Sequence, residues 1–194
     1  DAIRGNVLKD FEVNEDNTEF IFHMREGMKW SDGEPVTTED VRFVYEDLYL
    51  NENLTPAFPR RFRTGYAADG EPMELEIIDD YTFKVTYPEP YGGFLRNLVI
   101  EGWNGYTELI RPAHYLKQFH ADYVDIAELQ PMLDEMGLTD EWWQLFTAKD
   151  CLSWDVNEPM CLNTPRLGPW LLVENDTPGL LKFERNPYYH KVDT

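Results

Sequence analysis

The sequence is poor in basic residues. It has 17 Lys and Arg against 37 Asp and Glu, which gives a formal net charge of −20 at pH 7. Nucleic-acid binding depends on basic side chains that neutralise phosphates, and anionic membrane surfaces attract proteins through the same side chains. The composition therefore argues against both a nucleic acid and an anionic lipid surface as a partner.

Long apolar runs are also missing. No stretch approaches the roughly 18 consecutive apolar residues that indicate a transmembrane helix. Residues 1–4 show no basic segment followed by an apolar one, which is the pattern of a secretory signal peptide. The sequence therefore predicts no membrane-spanning segment within these 194 residues.

Cysteine and histidine are scarce. The two cysteines, Cys151 and Cys161, lie in one segment without periodicity. In an oxidising compartment a disulfide between them would add roughly 2–3 kcal/mol of stability, and two unpaired apolar side chains are the equal alternative. His114 and His120 are six residues apart and would lie on different sides of a helix, which argues against a shared metal ion. We expect no metal and no other cofactor.

Common catalytic and nucleotide-binding motifs are absent. The chain has no Gly-x-Ser-x-Gly, His-Glu-x-x-His, Gly-x-x-x-x-Gly-Lys-Ser/Thr or Gly-x-Gly-x-x-Gly sequence, so the familiar hydrolase, metalloprotease and nucleotide-binding signatures are missing. Acidic pairs such as residues 134–135 and 140–141 leave a carboxylate-based glycoside hydrolase open as an alternative. Their helical context is typical of solvated faces, and we expect a protein that is not an enzyme.

What the chain does have is a foldable mixture of strands and helices. Hydrophobic residues make up 42% of it, and its length suits one sizeable core or two small ones. Alternating apolar residues and turn signals predict hairpins over residues 11–24, 74–87 and 170–183. Helical spacing predicts helices within residues 41–48 and 111–146, and a short helix over residues 94–98 after a Gly-Gly pair. Thr37 or Thr38 is expected to cap the first of these helices, with Glu39 and Asp40 in its first turn. The expected fold class is α+β, with an antiparallel or mixed sheet built from hairpins and a central group of helices.

Two distant blocks carry the most specific pattern. Residues 29–33 read Lys-Trp-Ser-Asp-Gly and are followed by Pro-Val-Thr at 35–37. Residues 168–170 read Gly-Pro-Trp, and residues 185–189 read Arg-Asn-Pro-Tyr-Tyr. In this order, with a hairpin between them, the blocks resemble the extracellular solute-binding proteins of family 5, the oligopeptide, dipeptide, nickel and oligosaccharide receptors of ABC importers.

The resemblance implies that the chain is a fragment, because family members run to several hundred residues and hold their ligand between lobes. Residues 20–164 would form the smaller α+β lobe of a receptor resembling the type II periplasmic binding proteins. Residues 1–19 would be a partial strand at the edge of the N-terminal lobe, and residues 165–194 would return toward that lobe. The missing signal peptide would then reflect truncation, and the complete protein would be extracytoplasmic, either periplasmic or anchored to the outer face of the membrane as a lipoprotein.

The same resemblance implies a ligand-binding component of an ABC importer. Such a protein captures a solute by lobe closure and delivers it to the permease subunits. Peptide is the expected ligand, because most of the family binds peptides, and an oligosaccharide is the alternative. The tryptophan-rich segment 102–163 favours the alternative, and His190, where the family usually has an aromatic residue, is a further departure. The fragment alone is expected to bind weakly or not at all, because one wall of the cleft is absent.

Five residues are candidates for ligand binding. Trp103, Asn104 and Tyr106 lie in a loop flanked by glycines, and Trp154 lies in an irregular segment. Flat aromatic faces stack on sugar rings and cover peptide side chains. Arg61 belongs to the only basic cluster and could bind a carboxylate terminus. The competing structural interpretations are core packing or loop anchoring for the aromatic residues and local ion pairs for the arginine.

The Trp-Ser-Asp-Gly turn at residues 30–33 is expected to be structural. Trp30 would pack beneath the turn, Asp32 would accept hydrogen bonds from backbone donors, and Gly33 would adopt a positive φ. Trp170, at the start of a predicted strand, is expected to be buried.

Overall fold

The computed structural model describes residues 3–100, 108–138, 141–151, 161–175 and 180–191. Within these ranges, none of the helices has the length and apolar character needed to span a bilayer. The chain divides into two compact units. The first comprises Asp1–Gly27 and Thr37–Arg111, and the second comprises Met28–Val36 and Pro112–Thr194. Each unit is therefore assembled from two separate segments of the sequence, and the lobe boundaries expected from the resemblance remain a prediction.

The first unit is built on a four-stranded antiparallel sheet with the strand order β1-β2-β4-β3. Its strands are β1 (Leu8–Val13), β2 (Glu19–Met24), β3 (Glu74–Asp79) and β4 (Thr82–Thr86). The two hairpins predicted from alternating apolar residues are confirmed. They join through the pairing of β2 with β4, so that both hairpins contribute to one continuous sheet.

Aromatic side chains on one face of this sheet form the core of the first unit. Phe20 and Phe22 of β2 and Phe83 of β4 are at most 2% exposed. Phe20 and Phe22 lie on the same face of the sheet because alternate residues of a strand point to the same side. Phe94, the first residue of α2 (Phe94–Ile100), packs with its ring centroid 4.9 Å from that of Phe20 and 6.2 Å from that of Phe22. The core therefore fixes α2 against the sheet.

Helix α1 (Thr38–Phe43) begins at a capping box and continues as a π-helical segment (Val44–Tyr49). The hydroxyl of Thr37 accepts a hydrogen bond from the amide of Glu39 at 3.3 Å, and the carboxylate of Asp40 accepts one from the amide of Thr37 at 3.1 Å. These bonds satisfy amides that have no partner within the helix. The helix predicted over residues 41–48, with its cap at Thr37 or Thr38, is confirmed.

Among its described residues, the second unit has three α-helices and a hairpin. Its elements are α3 (Ala113–Leu116), α4 (Ile126–Glu135), α5 (Trp142–Lys149), β5 (Trp170–Glu174) and β6 (Lys182–Arg185). His120 is fully buried, with its ring centroid 4.5 Å from that of Trp142 and 5.5 Å from that of Phe146. The predicted grouping of helices within residues 111–146 and the predicted third hairpin are confirmed, and with them the α+β class.

Cys151 and Cys161 form a disulfide in the second unit. Their Cα atoms are 5.6 Å apart, and both residues are buried. The sequence left a bonded and an unbonded pair open, and the structure has the bonded pair. It closes a loop that begins just after α5.

The expected burial of Trp170 is wrong. Its side chain is 58% exposed, and Phe183 on the paired strand is 43% exposed. The hairpin of β5 and β6 forms a two-stranded sheet by itself in the described part of the chain. A strand that lacks a second layer on one face leaves that face open to solvent, whatever the hydrophobicity of its residues.

Candidate functional site

The two sequence blocks that carry the family resemblance meet in the second unit. The amide of Ser31 donates a hydrogen bond to the carbonyl of Arg166 at 3.1 Å. The amide of Arg166 donates one in return to the hydroxyl of Ser31 at 3.0 Å. These reciprocal bonds join the turn at residues 30–33 to the segment that leads into β5.

The turn itself has a structural role, as expected. Trp30 is fully buried. A carboxylate oxygen of Asp32 accepts a hydrogen bond from the amide of Glu34 at 3.2 Å, and Gly33 has a φ of +97°. Each residue therefore stabilises the turn by packing, by satisfying a backbone donor or by adopting a conformation that other residues rarely reach.

Residues of the second block also contact the turn and the segment that leads into β5. The side-chain amide of Asn186 donates a hydrogen bond to the carbonyl of Gly168 at 2.9 Å. The ammonium group of Lys29 lies 5.4 Å from the ring centroid of Tyr188, within the range of cation–π attraction. Both signature blocks are thus used to build the scaffold, and neither presents its side chains as a catalytic or metal-binding set.

His114 and His120 contact different partners. His114 lies 2.8 Å from the carboxylate of Asp32, while a ring nitrogen of the buried His120 accepts a hydrogen bond from the amide of Asp122 at 3.2 Å. In the described ranges of the chain, no group of three or more His, Cys, Asp and Glu residues could hold a metal ion.

Arg61 is the one predicted ligand-binding residue that the structure describes. Its guanidinium forms an ion pair with the carboxylate of Glu108, with 2.8 Å between Nη1 and Oε1. The two side chains are only 23% and 13% exposed. The hydroxyl of Tyr49 donates a hydrogen bond to the backbone carbonyl of Glu108, and burial of that hydroxyl raises the pKa of Tyr49. The neutral tyrosine therefore helps to position Glu108 beside Arg61.

The neighbouring arginines stabilise the long loop instead. The guanidinium of Arg60 donates a hydrogen bond to the carbonyl of Tyr66 at 2.6 Å. That of Arg63 donates bonds to the carbonyl oxygens of Phe58 and Gly70, at 3.2 and 2.9 Å. The basic cluster that the sequence presents as one feature is thus divided, and Arg61 alone pairs with a distant carboxylate.

A cavity of about 380 Å³ lies beside this ion pair, within the first unit. Arg61 and Glu108 line it together with apolar side chains from the N-terminal segment, from the sheet and from α2. The volume falls within the range of small-ligand sites in proteins. The cavity is therefore the best candidate for a ligand-contacting surface among the described residues.

The other four predicted ligand-binding residues, Trp103, Asn104, Tyr106 and Trp154, lie outside the described residues. Their assignment stays a prediction. The sequence did not predict Glu108 as the partner of Arg61. The two residues are 47 positions apart, and no pattern near either of them indicates an ion pair. The sequence also did not predict the role of α2 in lining a cavity, although the Gly-Gly pair before the helix and its apolar residues marked the helix itself.

Comparison with known proteins gives consistent matches over the whole chain. The model of a family described as bacterial extracellular solute-binding proteins, family 5 Middle, matches residues 2–194. The periplasmic alpha-galactoside-binding protein of Rhizobium meliloti is 31% identical over 192 residues, which are 97% of this chain and 23% of that protein.

Comparison with solved structures leads to the same class of protein as the sequence comparison. An oligopeptide-binding protein OppA superposes with a TM-score of 0.75 and 36% identity, covering 94% of this chain and 26% of that one. The periplasmic binding protein MelB of Agrobacterium fabrum C58, in complex with stachyose, gives a TM-score of 0.66 and 28% identity, covering 95% of this chain and 23% of that one. The chain thus spans about a quarter of the length of these relatives, and the expected likeness to type II periplasmic binding proteins is confirmed.

Proposed function

This chain belongs to the bacterial extracellular solute-binding proteins, family 5, and on that premise we propose that it is part of the ligand-binding component of an ABC importer. The complete protein captures a solute outside the cytoplasm, in the periplasm or at the outer face of the membrane, where a lipid anchor would hold it. The match over residues 2–194 is the observation that carries the proposal. The family consists of solute-binding proteins rather than enzymes.

The proposed mechanism is capture by closure. A solute that contacts two lobes at once stabilises the closed form, because it gains interactions that the open form does not offer. The closed form is the one that the permease subunits recognise and from which they take the solute. In this scheme the present chain contributes one part of the binding surface, and no covalent bond is made or broken.

Peptides are the first candidate cargo. The oligopeptide-binding protein OppA combines 36% identity with a TM-score of 0.75, and peptide is the ligand that the sequence resemblance implies. Oligosaccharides are the second candidate. They are favoured by the relative named for alpha-galactoside binding, which aligns with 97% of this chain, and by the stachyose complex of MelB.

Calorimetry on the complete receptor tests the function. We expect stoichiometric binding of either tripeptides or neutral oligosaccharides such as stachyose, and mass spectrometry of the recovered ligand should find it chemically unchanged. A receptor that bound neither class, or that hydrolysed chromogenic glycosides through one of its carboxylates, would contradict the proposal.

A further inference from the structure

We propose that the cavity beside Arg61 is a subsite for an apolar side chain of a peptide ligand, with the Arg61–Glu108 ion pair holding the polar backbone of that peptide. The proposal rests on the peptide form of the function proposed above. It assigns a role to a cavity that lies wholly within the first unit.

The apolar lining defines what the cavity can hold. Three of the apolar residues that line the cavity are at most 8% exposed, namely Val7, Phe22 and Ile110. Two others are much more exposed, Ile3 at 39% and Val99 at 61%. The cavity thus combines buried apolar walls with an opening marked by exposed apolar side chains. Large aliphatic groups left in water at such an opening are stabilised when another apolar group covers them. A volume of about 380 Å³ accommodates one large side chain.

The charged side chains that line the cavity balance in number, and another cation outside the lining, Arg111, also interacts electrostatically with Glu108. Arg61 is neutralised by Glu108 at 2.8 Å, and the other charged residues that line the cavity are one cation, Arg4, and one anion, Asp10. A ligand carboxylate would have to compete with Glu108 for the guanidinium, while an ammonium group would have to compete with Arg61. An uncharged ligand group is therefore preferred at this site.

An ion pair also offers two kinds of hydrogen bond. The guanidinium provides N–H donors and the carboxylate provides acceptor oxygens. A peptide group carries one carbonyl acceptor and one N–H donor, so it can bind to both members of the pair without displacing either. The combination of an apolar cavity and an adjacent donor and acceptor matches a residue of a peptide.

The same lining disfavours a sugar. A sugar ring has hydroxyl groups around most of its edge, and hydroxyls buried against aliphatic side chains lose their hydrogen bonds to water without replacement. A monosaccharide unit could reach the ion pair with one edge only. The cavity therefore discriminates between the two cargo classes of the proposed function.

Binding of three tripeptides to the complete receptor tests the preference. Trileucine, trialanine and triglutamate have the same termini and differ in the side chains offered to the cavity. We expect trileucine to bind about 10- to 30-fold more tightly than trialanine, since each buried methylene favours binding, and triglutamate to bind more weakly than trialanine. Equal affinities for trileucine and trialanine would overturn the subsite.

A filled cavity should remove the preference. In Val99→Phe, the larger side chain occupies the opening, and the preference for trileucine over trialanine should fall about tenfold. Ile78→Phe is the matched control, because Ile78 is 49% exposed on β3 and does not line the cavity. Unchanged trileucine binding in Val99→Phe, with the melting temperature also unchanged, would overturn the proposal and show that other parts of the receptor cover the cavity.

Glu108→Gln provides a second, independent readout. It keeps the shape of residue 108 and removes the counter-charge of Arg61, so the affinity for triglutamate relative to that for trialanine should rise by about tenfold. No gain for triglutamate would contradict the role of the ion pair. If the unaltered receptor bound stachyose and no tripeptide, the subsite would fail and the importer function would stand. If it bound neither, the function itself would fail.

Discussion

The hydroxyl of Ser31 accepts a hydrogen bond from the backbone amide of Arg166 at 3.0 Å, although 135 positions separate the two residues in the sequence. The amide of Ser31 donates to the carbonyl of Arg166 as well. These bonds connect the first of the two blocks by which the family can be recognised to the residues just before the second, so the signature marks a structural junction.

Loss of the Ser31 hydroxyl should weaken this junction. Ser31→Ala leaves the amide of Arg166 without its acceptor, and we expect a loss of about 1 kcal/mol in the free energy of unfolding, measured by urea denaturation. Thr147→Ala is the control, since the Thr147 hydroxyl donates to the carbonyl of Trp143 on an exposed helix surface. A change of less than about 0.5 kcal/mol is expected there. Equal effects of both substitutions would contradict the junction.

A side chain at position 33 should destabilise the protein. Its φ is +97°, and a Cβ atom would lie 3.2 Å from the hydroxyl of Tyr188. Gly33→Ala should therefore cost about 1–3 kcal/mol in the free energy of unfolding. Gly168→Ala is a matched control, because no atom lies within 4 Å of a Cβ at that position and its φ is not positive. Comparable stability of the two variants would show that Gly33 is not required by its conformation.

Removal of the disulfide should destabilise the protein. The bond between Cys151 and Cys161 spans a sequence separation of 10, and restriction of a loop of that size in the unfolded chain is worth about 3 kcal/mol. The double variant Cys151→Ala/Cys161→Ala should lose most of that amount in urea denaturation. A reducing agent should shift the unfolding midpoint of the unaltered protein and leave that of the variant unchanged. A midpoint insensitive to reduction would contradict a stabilising role.

Alkaline pH should unfold the protein through its buried tyrosines. Burial raises the pKa of Tyr49 and of Tyr87 above the ordinary value. The folded state therefore keeps these protons when the unfolded state releases them, so their contribution to stability is complete below about pH 10 and is lost as pH rises beyond it. Ultraviolet absorbance of tyrosinate should rise together with unfolding followed by circular dichroism.

Tyr49→Phe separates this effect from general alkaline denaturation. The variant cannot ionise at position 49, so its stability should fall less steeply above about pH 10 than that of the unaltered protein. Identical slopes in the two proteins would show that Tyr49 makes no contribution.

Features encoded by neighbouring residues could be predicted from the sequence. The three hairpins follow from alternating apolar residues and turn signals, and the start of α1 follows from Thr37 and Asp40. Gly33 could be assigned a positive φ because an Asp-Gly pair favours that conformation. In each case the determining interactions lie within a few residues, so no knowledge of the tertiary structure is needed.

Features that depend on distant partners could not be predicted. Whether Arg61 is available to a ligand depends on Glu108, and nothing in the sequence near either residue indicates their pairing. The exposure of Trp170 likewise depends on which layers cover β5, a property that hydrophobicity alone does not determine. For the candidate site, the sequence identified one member of the ion pair and left the cavity unrecognised, because cavities arise from packing between elements.

The composite second unit has a consequence for biosynthesis. Met28–Val36 leaves the ribosome well before Pro112–Thr194, the segment with which it forms that unit. At typical translation rates, roughly 8–30 s separate the synthesis of residue 36 from that of residue 191. At the start of that interval the indole of Trp30, which the finished protein excludes entirely from water, still lacks later neighbours such as His114, whose ring centroid lies 6.4 Å from its own. The second unit can therefore close around Trp30 only after the segment that begins at Pro112 has been synthesised.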